Sequence, residues 1–315
     1  MSKIIMWSDN HHFPSLPLMK ISAYHKNRGD DVSLYSSGFE CCDVLYQSKT
    51  FSFTDDLLYP PTADKVIQGG TGYAISVLNG KEVYSKIKDP DMEKEIDGQY
   101  PDYELYPEYK NMACGFLTRG CCNDCEFCIV SQKEGRCVRQ VADLSDFWRG
   151  QKDIKLMDGN ILACKDRERL LQQLISSGAN IEFTQGLDAR LITDDIAQIV
   201  CKTRIKRIYF AFDLMVNEKA ILEGLKTFRK HYEKEGRVYI LTNFNTTHEE
   251  DLYRIERVIE LGYRPYVMIY QKGTHSKFLM DLARWANNPF LYRSCKFKDY
   301  KPRVDGKTCE QMYAL

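Results

Sequence analysis

The sequence predicts an α/β chain in two parts, a small open sheet followed by six strand–helix units that form an open, partial barrel. Three observations carry this reading. At 315 residues the chain suits two domains, or one large barrel with an extension. Its first hundred residues alternate short apolar runs with helical ones. From residue 109 onward, apolar runs short enough for buried strands alternate with helical patterns.

In chain order, residues 3–7 read as a buried strand, 18–27 as a helix closed by Gly29, and 31–35 as a second strand. Further strands are expected at 43–46 and 65–68, the latter ending in Gly69-Gly70-Thr71-Gly72. Residues 1–88 are thus expected to form a Rossmann-like or flavodoxin-like α/β domain. Residues 89–108, rich in Asp, Glu, Pro and Tyr and without a period, read as a linker whose aromatics pack it down. Within 109–315, strands are expected at 112–117, 154–157, 181–184, 205–212, 238–241 and 266–270. One helix between them starts after Asp166, carries Leu170, Leu171, Leu174 and Ile175, and stops at Gly178. Another has Thr247 and Glu250 in capping-box spacing, carries Leu252, Ile255, Val258 and Ile259, and stops at Gly262. Six parallel units are fewer than the eight of a closed TIM barrel, so a partial (β/α)6 TIM-like barrel is expected, with its chemistry at the C-terminal strand ends.

Lys+Arg and Asp+Glu balance at 44 each, so no global field draws the chain to nucleic acid, an anionic membrane or an acidic substrate. Long nucleic acid is therefore not an expected partner. The stretch 296–303 is the most basic and reads as a solvated tail. The start of the chain lacks the apolar run of a signal peptide, and no stretch approaches the ~20 apolar residues of a membrane span. A cytoplasmic location follows as an expectation, and there the twelve cysteines are not read as disulfides.

Four of those cysteines fall within Thr118-Arg119-Gly120-Cys121-Cys122-Asn123-Asp124-Cys125-Glu126-Phe127-Cys128, directly after the first barrel strand. Cys121, Cys125 and Cys128 give C-x3-C-x2-C. Three thiolates on one loop can hold three irons of a 4Fe–4S cubane and leave the fourth open for the amino and carboxylate groups of S-adenosylmethionine. The alternative register, Cys122, Cys125 and Cys128, matches a ferredoxin run, but Gln132 and Lys133 stand where that run needs cysteine and proline. A structural zinc site is the other reading, and no second C-x2-C pair supports it.

The motif resembles that of the radical S-adenosylmethionine superfamily, a resemblance that covers the chain from residue 109 to its end. It implies a 4Fe–4S cluster on Cys121, Cys125 and Cys128, Phe127 near the adenine, and 5′-deoxyadenosyl radical chemistry on an unidentified small-molecule, peptide or nucleotide substrate. It also implies an electron donor such as flavodoxin or ferredoxin. The first domain resembles the cobalamin-binding type carried by one branch. Its Asp-x-His-x-x-Gly signature is missing: Asp9-Asn10-His11-His12-Phe13 lacks the glycine and follows the wrong strand. Cobalamin is therefore not expected by the lower-histidine route, while base-off binding and a cobalamin-dependent methyltransferase stay open as alternatives. Gly69-Gly70 echoes a glycine pair of such domains.

Polar residues gather at the expected strand ends. Met157-Asp158-Gly159-Asn160 is similar in position to the family's second-strand motif, so Asp158 and Asn160 are assigned to the cofactor's amino group, against a turn-and-cap role. In Gln185-Gly186-Leu187-Asp188-Ala189-Arg190, Arg190 suits the cofactor carboxylate, and Gln185 and Asp188 suit the ribose or substrate. The alternative is a structural Asp188–Arg190 pair. Asp213, Asn243 and Tyr270 complete the ring. Cys114, Cys137, Cys164, Cys201 and Cys295 read as single packed residues.

Overall fold

The structure, a computed structural model, describes residues 1–10, 12–78, 81–271 and 276–313. It is a mixed α/β protein of two compact units, Met1–Gly159 with Cys164–Asp166, and Asn160–Ala163 with Arg167–Leu315. The division falls near residue 160 and not at the expected linker, 89–108, because that stretch is clamped into the first unit. The Tyr103 hydroxyl donates to the Phe147 carbonyl (2.7 Å) and accepts from the Cys114 N–H (3.1 Å). Asp102 accepts from Ser22 (2.6 Å) and pairs with Lys26 (2.8 Å).

The first unit opens with β1 (Lys3–Ser8), α1 (Leu16–Asn27), β2 (Asp31–Leu34), β3 (Cys41–Ser48) and β4 (Thr62–Gly69). These strands form one parallel sheet in the order β2-β1-β3-β4. The central strand is apolar because it is covered on both faces, and Ile4, Ile5 and Met6 are fully buried. Pro17 falls in the first turn of α1, where its missing N–H costs nothing, and Gly29 turns the chain back at φ 82°. The expected alternation of helix and strand is only partly present. No helix but α1 before residue 100 exceeds four residues among those described, and β2, β3 and β4 follow one another through loops. The short α2 (Thr71–Ala74), an unforeseen antiparallel hairpin of β5 (Ile75–Leu78) and β6 (Lys81–Tyr84), and α3 (Lys94–Asp97) complete this part. After them come β7 (Met112–Gly115), β8 (Thr118–Arg119), α4 (Val130–Glu134), β9 (Arg139–Gln140) and β10 (Asp153–Leu156).

The second unit alternates as expected: α5 (Arg167–Ser177), β11 (Asn180–Leu187), α6 (Asp194–Cys201), β12 (Arg204–Ala211), α7 (Glu218–Arg229), β13 (Arg237–Thr242), α8 (His248–Glu260), β14 (Arg264–Ile269), then α9 (Lys277–Ala286), α10 (Pro289–Ser294) and α11 (Cys309–Tyr313). The six long-range strands lie in one sheet in chain order, β7-β10-β11-β12-β13-β14, with β7–β10 and β11 through β14 paired in parallel. Thr247 and Glu250 form the capping box that opens α8, and Gly178 and Gly262 close α5 and α8 in the left-handed region. The stretch 296–303 is not a free tail: Phe297 is fully buried and Arg303 pairs with Asp281 (2.9 Å). Among the described residues no helix is long and apolar enough to cross a membrane.

On β12 the side chains alternate. Phe210 meets Phe228 of α7 edge-on, with ring centres 5.1 Å apart, while Tyr209, on the opposite face, stacks on Tyr239 at 5.2 Å. Helix α7 comes so close to the turn after β11 that a β-carbon at Gly224 would lie 1.8 Å from the Ala189 carbonyl oxygen. Alanine is favoured over glycine inside a helix by about 1 kcal/mol, yet here the clash dominates. Gly224→Ala is expected to destabilise the protein by about 1–3 kcal/mol, read as a lower urea midpoint. An unchanged or higher midpoint would refute this packing account.

Candidate functional site

The cysteine loop is an excursion from a two-stranded hairpin, and its neck is hydrogen-bonded residue by residue. Strand β7 stops at Gly115, two residues before the expected end, and the chain turns to pair Thr118 with Gln140 and Arg119 with Arg139. The turn is held by Asp158, just beyond β10 and only 5% exposed. Its carboxylate accepts from the Leu117 N–H (3.1 Å), the Thr118 N–H (2.5 Å) and the Thr118 hydroxyl (2.6 Å). Burial pushes the Asp158 carboxyl up to about 6, the Thr118 and Leu117 bonds pulling the other way. One step further, Glu134 accepts from Arg119 (2.8 Å) and from the Gly120 N–H (3.0 Å), and the Cys121 N–H donates to the Gly135 carbonyl (3.1 Å). Gly120 has φ 98°, and a β-carbon there would lie 2.3 Å from the Cys137 carbonyl oxygen, so glycine is required twice over.

Cys121, Cys125 and Cys128 are half-buried and Cys122 is exposed. The Cys128 N–H donates to the Cys125 carbonyl (2.9 Å), closing a turn between the second and third ligand candidates. Asp124 accepts from Ser131 (3.2 Å) and pairs with Arg136. Beyond the loop, Lys133 of α4 bonds the Thr71 hydroxyl (2.6 Å) and pairs with Asp89 (2.8 Å). Among the described residues no three His, Cys, Asp or Glu side chains stand grouped as a metal site. The fit to a cluster therefore rests on donor chemistry: closely spaced soft thiols on one anchored loop suit iron–sulfur ligation and not a hard cation.

In the second unit the strand-end residues fall into two groups. Asn160 donates to Asp188 (3.2 Å), and Asp188 binds Arg190 through two parallel bonds, Nε at 2.8 Å and Nη2 at 2.6 Å. Asp188 also caps the turn Ala189–Leu191. The structural pairing weighed for Asp188 and Arg190 is thus present. Gln185 is exposed in a bulge, where β11 continues past its expected end at 184 and slips register against β12 around Gly186, φ 90°.

The second group ties together the ends of β12, β13 and β14. Asp213 accepts from the Leu241 N–H (2.9 Å), and Asn243 donates to the Tyr270 carbonyl (2.8 Å) from the left-handed region, φ 65°. The tie beneath them is Arg254 of α8, 0% exposed. It donates to the carbonyls of Phe212 (2.7 Å), Asp213 (2.8 Å) and Leu241 (2.8 Å) and to Asp251 (2.5 Å). The sequence reading missed Arg254, Asp251 and Glu134, because charged helix residues at such spacings read as a solvated face; a charged residue in line with the apolar stripe Leu252, Ile255 and Val258 was the available signal.

The ends of the first sheet are self-filled. Asp9 accepts from the Thr50 and Phe51 N–H groups (2.8 and 3.1 Å) and from Thr54 (2.6 Å). Gly70 and Gly72 leave room for the Lys49–Phe51 backbone, 2.5 and 2.6 Å from where their β-carbons would stand. His11 lies outside the described residues, and His12 is exposed. Cys114 and Cys164 are buried, Cys201 and Cys295 half-buried, and Cys137 exposed.

No protein-family model matches the chain, and no curated protein matches it.

Two outcomes follow for the second unit. Arg254→Met leaves Asp251 without its buried counter-charge and is expected to cost about 3–5 kcal/mol in urea unfolding; a loss below 1 kcal/mol would show that the tie is idle. Burial also pushes Asp213 up to about 6 from an ordinary 3.8, against the Leu241 N–H and Arg254. The folded state therefore holds this proton more tightly, so its contribution is complete below pH 3.8 and lost as pH rises through about 6. Asp213→Asn is expected to flatten that fall in urea midpoint between pH 4 and 7, and an identical pH profile would refute it.

Proposed function

We propose that the chain is a radical S-adenosylmethionine enzyme acting in the cytoplasm, its six-stranded sheet serving as an open, partial TIM-like barrel. The observation that carries the reading is the C-x3-C-x2-C loop, hydrogen-bonded at its neck and set immediately beyond the first strand of that sheet. Cys121, Cys125 and Cys128 would hold a 4Fe–4S cluster. When bound, that group supplies the electron for reductive cleavage of S-adenosylmethionine and so the 5′-deoxyadenosyl radical that takes hydrogen from the substrate.

The chain's own residues bind and orient. Half-buried Phe127 offers an apolar face to the adenine. Arg190, held flat by Asp188, presents a preset guanidinium to the cofactor carboxylate, and Asn160 fixes Asp188. Gln185 in its bulge suits the ribose or the substrate. Asp213, Asn243 and Tyr270 supply polar groups at the later strand ends. Asp158 accepts three bonds from Leu117 and Thr118 and so positions the loop, and with Asn160 it is the group offered to the cofactor's amino group. The electron would come from a flavodoxin or ferredoxin, and the substrate is a small molecule, peptide or nucleotide.

Anaerobic reconstitution tests this reading. About four irons and matching sulfide per chain are expected, with 5′-deoxyadenosine detected by mass spectrometry after dithionite and S-adenosylmethionine are added. Cys121→Ala, Cys125→Ala and Cys128→Ala should each abolish that product while Cys122→Ala retains it. Zinc in place of iron, or Cys122→Ala behaving like the other three, would sink the assignment.

A further inference from the structure

The four residues that lead into Cys121 are held by two carboxylates that belong to no ligand set. Asp158 takes the N–H groups of Leu117 and Thr118 and the Thr118 hydroxyl. Glu134, fourteen residues beyond Gly120, takes the Gly120 N–H and the Arg119 guanidinium. The Cys121 N–H then closes on the Gly135 carbonyl. The donors at 117, 118, 120 and 121 thus all have named acceptors, and Thr118 and Arg119 lie in the ladder with β9. Neither acid is spare surface charge. The side chain of Glu134 is 11% exposed, and Asp158 is nearly sealed.

A buried carboxylate is costly unless its oxygens are bonded, and bonds to an ionised acceptor are the strong ones. Such bonds fix direction as well as distance. Asp158 fixes where the hairpin leaves the sheet edge, and Glu134 fixes how wide the neck opens, since it ties Gly120, the first residue of the excursion, to the end of α4. Between them the two carboxylates bond the neck of the loop from Leu117 to Gly120. We propose that Glu134 and Asp158 are positioning residues of the cysteine loop, holding its thiols in register for the cluster; this rests on the reading that the loop binds one.

The inference separates from that reading experimentally. Wild type, Glu134→Gln, Glu134→Ala, Thr118→Val and the control Glu126→Gln are reconstituted anaerobically with iron and sulfide. Glu126 is an exposed carboxylate on the same loop, so its variant tests charge alone. Circular dichroism and thermal melting establish which variants fold. Chelator-driven iron release and the electron paramagnetic resonance of the dithionite-reduced cluster are the readouts. Folded Glu134→Ala is expected to release iron roughly ten- to hundredfold faster, the range seen when groups supporting metal ligands are removed. Glu134→Gln keeps an acceptor for the Gly120 N–H but loses the charge on Arg119, so it should fall between. Thr118→Val removes one of the three Asp158 bonds and should shift the resonance with a smaller change in release. Glu126→Gln should match wild type. Wild type without iron fails the cluster reading, and this inference with it. Wild type with a stable cluster, and Glu134→Gln and Thr118→Val indistinguishable from it in release and resonance, overturns the inference alone.

Discussion

The interaction between Asp158 and the backbone of Leu117 and Thr118 governs how the first unit presents its cysteines. A parallel strand would run on through Phe116 and Leu117, which are apolar enough for it. Instead one sealed carboxylate gathers two successive N–H groups and a hydroxyl, and successive N–H groups point the same way only where the chain has turned. The turn ends β7 early and delivers Thr118 to the hairpin with β9. Everything from Gly120 to Val138 is then an excursion, and Glu134 ties its first residue to the end of α4. Gly120 is the hinge that only glycine satisfies, in conformation and in space.

The second unit solves a related problem with the opposite charge. Carbonyls at the C-terminal ends of parallel strands lack the partners that continue the ladder. Arg254 supplies donors to three of them from beneath, and Asp251 neutralises it. A fully buried guanidinium is tolerable because its partners are fixed and numerous. The ends of β12 and β13 are thereby held in one relation, and Asp213 sits over that tie with its own oxygen on the Leu241 N–H. The left-handed residues Asn243, Asn245 and Gln271 lie along these same ends, where strained backbone commonly marks a working surface.

The N-terminal sheet illustrates how a glycine run acquires a different meaning in three dimensions. Gly69-Gly70-Thr71-Gly72 sits where nucleotide-type sheets receive ligands, but the missing side chains of Gly70 and Gly72 accommodate the chain from Lys49 to Phe51. Thr71 meanwhile receives Lys133 from the helix that follows the cysteine loop, so the turn braces that loop from the far side.

The strand–helix alternation after residue 109, the stops at Gly178 and Gly262, the Thr247 capping box and the C-x3-C-x2-C spacing were all legible in the sequence. Each depends on neighbours a few residues apart: apolar periodicity, cap chemistry and loop spacing are local properties. Tertiary structure alone decided what the long-range polar groups do. Asp158 looks like a turn residue until its donors, some forty positions upstream, are seen, and Arg254 looks like a solvated helix charge until the strand-end carbonyls close on it. A hydrogen bond between residues distant in sequence leaves no periodic trace, so composition and spacing could not foretell it. The premature end of β7 and the clamped stretch 89–108 escaped for the same reason, since each is held by a partner that only folding brings within reach.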